Sequence, residues 1–179
     1  MNYRDVLDFW FNTLSSSDWW KKDSNLDNVI KNKFLKLHTQ ASQGELYEWR
    51  SNALGSLAEV IVLDQFSRNI FRDEPNSFSF DGMALVLAQV AIQSGFDKEL
   101  NPTKRGFLYM PFMHSESIII HEQAKKLFNQ PQMEANYEFE LKHADIIDRF
   151  GRYPHRNDIL GRPSTSEEIK FLKQPNSAF

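Results

Sequence analysis

Apolar residues recur every three or four positions along most of the chain, the period of helices with one face turned inward. Val6, Phe9 and Trp10 open the pattern on a short first helix. Leu26, Ile30, Phe34, Leu37 and Ala41 carry it along a longer second helix, and Gly44 marks its end, where a left-handed residue costs little. Leu54, Leu57, Ala58, Ile61 and Val62 define a third helix that runs on through Asp64-Gln65-Phe66, until Asp73-Glu74-Pro75-Asn76 breaks the chain. Asp81 is expected to cap the next helix, Met83 to Ser94, which is apolar almost all round and therefore expected in the middle of the protein. Gly95 ends it, and Asn101-Pro102 opens a further segment. Met113 to Phe128 reads as another helix, followed by Pro131 at a first-turn position. Tyr137, Leu141, Ala144, Ile146, Ile147 and Phe150 mark a long helix, and Thr165 with Glu168 fits a capping box before Ile169, Phe171 and Leu172.

No alternating run of β-branched residues reaches strand length, and helix follows helix across short breaks. The expected fold is all-α, a compact array of antiparallel helical hairpins. With no fixed-period repeat, low-complexity stretch or linker, residues 1–179 read as a single helical domain. Hydrophobic residues at 41% and 15 Phe supply ample apolar surface for a core. A net charge of −3 argues against general affinity for nucleic acid or anionic membrane, both of which need a basic surface. Absence of cysteine removes disulfides, thiolate chemistry and cysteine-held metals. The first residues lack the apolar run of a secretory signal, and Met83 to Ile92 falls well short of the roughly 20 apolar residues that span a bilayer. The expected setting is cytoplasmic.

Three polar stretches interrupt the apolar frame. In Asp64-Gln65-Phe66-Ser67-Arg68-Asn69, Asp64 and Arg68 continue the stripe of Leu57 and Ile61, so the inward face becomes charged as the helix proceeds. Buried charge is costly unless paired. Two readings fit: an ion pair locking a helix end, or Arg68 and Asn69 facing a pocket. In Met110-Pro111-Phe112-Met113-His114-Ser115-Glu116, Pro111 is expected to interrupt the chain, with His114 to Glu116 opening the next helix. His114 and His121 are seven apart, too wide for a shared metal on one helix, and Glu140-x-x-His143 is one half of a di-iron motif, so no metal or other cofactor is expected.

The third stretch, Phe150-Gly151-Arg152-Tyr153-Pro154-His155-Arg156-Asn157, carries the strongest pattern. Asp145 is spaced to pair with Arg149, and Asp148 with Arg152. Pro154 suits the first position of a short helix, which would turn the N–H groups of His155, Arg156 and Asn157 outward. Arg152, Arg156 and Arg162 bring planar forks that match carboxylate or phosphate, and His155 titrates near neutral pH. An anion site and a structural arginine network are the two readings.

These stretches, together with Val6-Leu7-Asp8-Phe9-Trp10-Phe11, resemble the family catalogued as domain of unknown function 924, from Val6 to Leu172. The resemblance implies a compact all-α fold related to tetratricopeptide-like arrays and a bacterial, cytoplasmic setting, and it implies no reaction. Ser67 stands where the family usually has proline, and His121 where it usually has glutamine.

The leading expectation is a pocket for an anionic small molecule, phosphorylated or carboxylated. Arg68, Arg149, Arg152 and Arg156 would hold its charge, with Asn69 and Asn157 beside them. His114, His143 and His155 are the proton-transfer candidates, and Asp64 and Glu116 would orient the arginines or the histidines. No motif specifies a nucleophile. The alternative is a tetratricopeptide-like interaction module that clamps a peptide carboxylate.

Overall fold

The computed structural model describes residues 1–175 and 177. Its helices are α1 (Tyr3–Asp8), α2 (Ser24–Ser42), α3 (Ala53–Ile61), α4 (Ser67–Ile70), α5 (Asp81–Gln93), α6 (Pro102–Met113), α7 (Ile118–Phe128), α8 (Glu134–Phe150) and α9 (Ser166–Phe171), and no strand occurs among the described residues. None of the helices there is long and apolar enough to cross a membrane.

Local chemistry sets most of the boundaries. Asp23 caps α2 by accepting the N–H groups of Asn25 and Leu26, and the helix then buries Ile30, Phe34, Leu37 and Ala41. Gly44 follows it at φ +75°, the left-handed conformation expected of it. Asn101 caps α6 with Pro102 in its first turn, and the Thr165–Glu168 capping box opens α9.

The core is aromatic. Phe34 and Phe66 lie 4.6 Å apart, and Trp10 meets both Phe66 and Phe107 edge-on at 5.6 Å. Burial of each such ring stabilises the fold by about 1.5–3 kcal/mol. α3 crosses this core and packs against α1, α5 and α6. It continues into a wider π-helical turn, Val62–Phe66, whose residues are all buried and which brings Asp64 into the interior. Such turns recur at functional sites.

Gly55 fixes the approach to α3. A Cβ on it would stand 2.0 Å from the Trp49 carbonyl oxygen, in the short turn Tyr47–Ser51. Gly55→Ala is expected to lower stability by about 2–3 kcal/mol, the upper part of the range for forced overpacking. An unchanged urea midpoint would show that the turn yields instead.

Several expectations are corrected. α5 is not central: it turns Ala84, Ala88 and Ala91 inward, while Met83, Val86 and Val90 remain 39%, 56% and 46% exposed. An apolar helix without a polar face carries no signal of orientation, and here the smallest side chains face the neighbours because they allow close packing. Asp81 makes no cap hydrogen bond. Pro111 lies inside α6 instead of breaking the chain, and α7 begins at Ile118, leaving His114 to Ser117 as a connection. Pro131 sits in the turn before α8, whose first residue is Glu134.

Candidate functional site

Polar side chains from distant stretches gather where the end of α6, the start of α5 and the turn after α8 meet. Gly151 ends α8 at φ +68°, and Pro154 opens a single 3-10 turn, Pro154–Arg156. That turn inserts Arg156 between the rings of Phe78 and Tyr153, with its guanidinium carbon 4.5 and 4.6 Å from their centres. One arm of Arg156 donates to Asp81 Oδ2 at 3.1 Å and the other to the His114 carbonyl at 3.1 Å, while its Nε is buried without an acceptor. Burial pushes this guanidinium below the usual arginine range, against the pull of Asp81.

Asp81 is the hub. Its two oxygens also take both arms of Arg68, at 3.0 and 3.1 Å. Arg68 donates in addition to the Asp64 carbonyl at 2.7 Å and lies 3.4 Å from the Asp64 carboxylate, the ion pair that was one of the two readings of this stretch. Burial alone would raise the Asp64 pKa, but Arg68 and His114 beside it hold the carboxyl far below the usual range. Its Oδ1 lies 2.7 Å from Nδ1 of His114. For His114 the order is reversed: burial pushes the imidazole pKa down, Asp64 opposes and Arg68 adds to the fall.

Glu116 sits on the neighbouring wall. It accepts both arms of Arg162, at 2.7 and 2.9 Å, and the Tyr153 N–H at 2.7 Å. Burial favours its protonated form, yet these donors keep its pKa below the ordinary carboxylate value. The anion held at the start of the Pro154 turn is thus the protein's own. The N–H groups of Arg156 and Asn157 are spent on the carbonyls of Tyr153 and Pro154, which corrects the expectation that they point outward.

Asp81, His114, Ser115, Glu116 and Arg156 line a cleft of about 320 Å³, with apolar walls from Phe78, Leu85, Pro111 and Leu160. Asp64 and Arg68 stand directly behind it, bonded to His114 and Asp81. His155 packs its ring 5.5 Å from Tyr153, where burial and then Arg156 push its pKa down to about 4. The remaining candidates lie off the cleft lining. Asn69 joins Arg72 on Asp27, and Asn157 accepts from Arg162 and donates to Ser164. His143 bonds the Phe139 carbonyl and meets the edge of Tyr153. Arg149 and Arg152 reach forward to Glu167 and Glu168 on α9 rather than back to Asp145 and Asp148, because the capping box presents those two carboxylates in its first turn.

Sequence reasoning missed Phe78, took Asp81 only for a helix cap, and gave Tyr153 no contact of its own within the arginine-rich stretch. A search for the counter-charges of Arg68 and Arg156 would have pointed to Asp81; nothing local marks the rings. Among the described residues no group of three or more His, Asp or Glu side chains is placed to hold a metal. Glu140 bonds His121 at 2.7 Å, and His121 also donates through Nε2 to the Ser115 carbonyl at 2.9 Å, so this buried pair braces the connection that carries the cleft wall. Ser67, the other departure from the family pattern, donates to the Leu63 carbonyl and meets His38 Nε2 at 2.7 Å.

Burial pushes the pKa of His38 down to about 4 and that of His143 to about 3, from an ordinary 6.5. Both stay neutral in the folded chain at pH 5 but take up protons once unfolded, so the unfolded state binds more protons below pH 6.5. Stability is therefore full above that pH and falls as pH drops toward 4, by about 2.5 kcal/mol per pH unit near pH 5 from these two groups alone. Urea titrations between pH 7 and 4.5 check this, and a flat profile would contradict it.

Fold and site together define an all-helical protein whose buried arginine–carboxylate network forms one wall of a small cleft. The chain belongs to the family of bacterial proteins of unknown function DUF924, which matches residues 6–176. It is similar to the solved structure of ATU0120, a protein of unknown function from Agrobacterium tumefaciens, with 38% identity, 96% of each chain covered and a TM-score of 0.91. No curated protein matches it.

Proposed function

We propose that the cleft binds a small molecule carrying a carboxylate, with Arg156 meeting the charge and His114 beside it. The observation that carries this reading is convergence: Asp81, the pair His114 and Glu116, and Arg156 come from three separate stretches and line one cleft beside apolar walls. Charge selects the ligand class. Arg68 and Arg156 are matched by Asp64 and Asp81, and Arg162 by Glu116. With every guanidinium already answered by a carboxylate, the site tolerates one added negative charge better than two, which favours a carboxylate over a dianionic phosphate. Phe78, Leu85, Pro111 and Leu160 suit an apolar body on that ligand.

Calorimetry with benzoate, inorganic phosphate and an acetylated tripeptide with a free C-terminus tests the reading. Benzoate is expected to bind more tightly than phosphate, and more tightly as the pH is lowered toward that of His114 titration. Arg156→Lys keeps the charge but loses the fork and the stacking, and is expected to weaken benzoate about tenfold or more. Leu160→Trp fills the cleft without touching the ion pairs, so it separates lost binding from lost folding. Absence of binding to the wild type by all three probes would reject the proposal. Tighter binding of the tripeptide than of benzoate would instead favour the interaction module.

A further inference from the structure

Asp64 and His114 are 50 positions apart and joined by a 2.7 Å contact between Oδ1 and Nδ1. Asp64 is wholly buried, and its other oxygen accepts from Gln65 Nε2. Arg68, helped by the Gln65 hydrogen bond, keeps the carboxylate ionised, so it is an acceptor only and Nδ1 must carry the hydrogen. In the neutral imidazole the lone pair then lies on Nε2. Nε2 makes no hydrogen bond with any described residue, while the ring borders the cleft. None of the other four histidines lines that cleft.

A buried carboxylate that fixes one imidazole nitrogen and leaves the other facing a ligand is the arrangement of a general base. We propose that His114 is the general base of a reaction on the carboxylate-bearing molecule bound in the cleft, with Asp64 as its positioning residue. This rests on the binding reading above. The base removes a proton from an O–H group. That O–H bond breaks, its electron pair stays on oxygen, and an N–H bond forms at Nε2. No protein hydroxyl among the described residues lies within hydrogen-bond distance of Nε2, so the O–H belongs to the ligand or to a water beside it. The imidazolium formed lies between the Asp64 carboxylate and that of the ligand, and Asp64 itself gains no proton. The other charged and titratable groups around His114 are Arg68, Asp81, His143, His155 and Arg156. The arginines and histidines among them disfavour a second proton on the ring before a ligand binds, which leaves the base free to accept one.

Nitrogen-15 NMR of the histidines in the full-length protein tests this without a known substrate. At pH 7 the His114 pattern is expected to be that of the Nδ1–H tautomer with Nε2 unprotonated. Asp64→Asn is expected to move it toward the Nε2–H tautomer, an effect that loss of packing alone would not produce. Where that variant fails to fold, the wild-type spectrum decides. Saturating benzoate is expected to raise the pH of His114 titration by about one unit, as a neighbouring negative charge favours the imidazolium. An Nε2–H tautomer, or an imidazolium at pH 7 in the free protein, would overturn the inference. Benzoate bound by calorimetry with His114 titration unmoved would sink the base and leave the binding reading standing. The expected tautomer with no benzoate binding would instead reject the binding reading, and with it the base as assigned to this ligand class.

Discussion

Asp81→Ala is expected to cost about 3–5 kcal/mol, the range for removing one partner of a buried ion pair. The cost belongs in the upper part of that range because Asp81 answers two arginines at once, Arg68 through both arms and Arg156 through one. Its loss leaves two guanidinium groups beside each other, with only Asp64, itself shared with His114, to offset Arg68. Arg156 is 8% exposed and cannot swing into water without leaving the slot between Phe78 and Tyr153. Urea denaturation measures the loss. A loss below about 1 kcal/mol would place the Asp81 pairs in the class of weak surface bridges and remove it as the hub.

The second large effect lies away from the cleft. Arg50→Ala is also expected to destabilise by about 3–5 kcal/mol, because it strands Glu59, which has no exposed surface at all. Arg50 holds that carboxylate with two hydrogen bonds of 2.7 Å, from Nε and Nη2. The pair is asymmetric: the Arg50 side chain is 33% exposed, so removal of Glu59 leaves a cation that can still reach water. Glu59→Ala is therefore expected to cost less than Arg50→Ala, and replacing both by leucine less than Arg50→Ala alone. Equal losses from the two single changes would show that packing of the stems, and not a stranded charge, dominates.

The two sites differ in how visible they are along the chain. Arg50 and Glu59 are nine apart, on a turn and the helix after it, and no helical spacing joins them. The burial of Glu59 shows only once α3 is seen packed on both sides. By contrast Asp64 and Arg68 lie four apart on an apolar stripe, so their pairing was readable, though their second partners, His114 and Asp81, were not.

The helices themselves are written in the chain. Ile30, Phe34, Leu37 and Ala41 state α2, Asn101-Pro102 starts α6, and Thr165 with Glu168 starts α9, because caps and helical stripes depend on residues three or four apart. The polar stretches that line the cleft were also marked, as charge on an inward face. What tertiary structure alone decided is which charges meet: that Asp81 leaves its helix end to two arginines, that Arg149 and Arg152 turn to α9, and that α5 hides its alanines and shows its larger side chains. Long side chains at helix ends reach several neighbours about equally well, and a helix apolar on every face fits in any rotation. Only the packing of whole helices against one another removes that freedom.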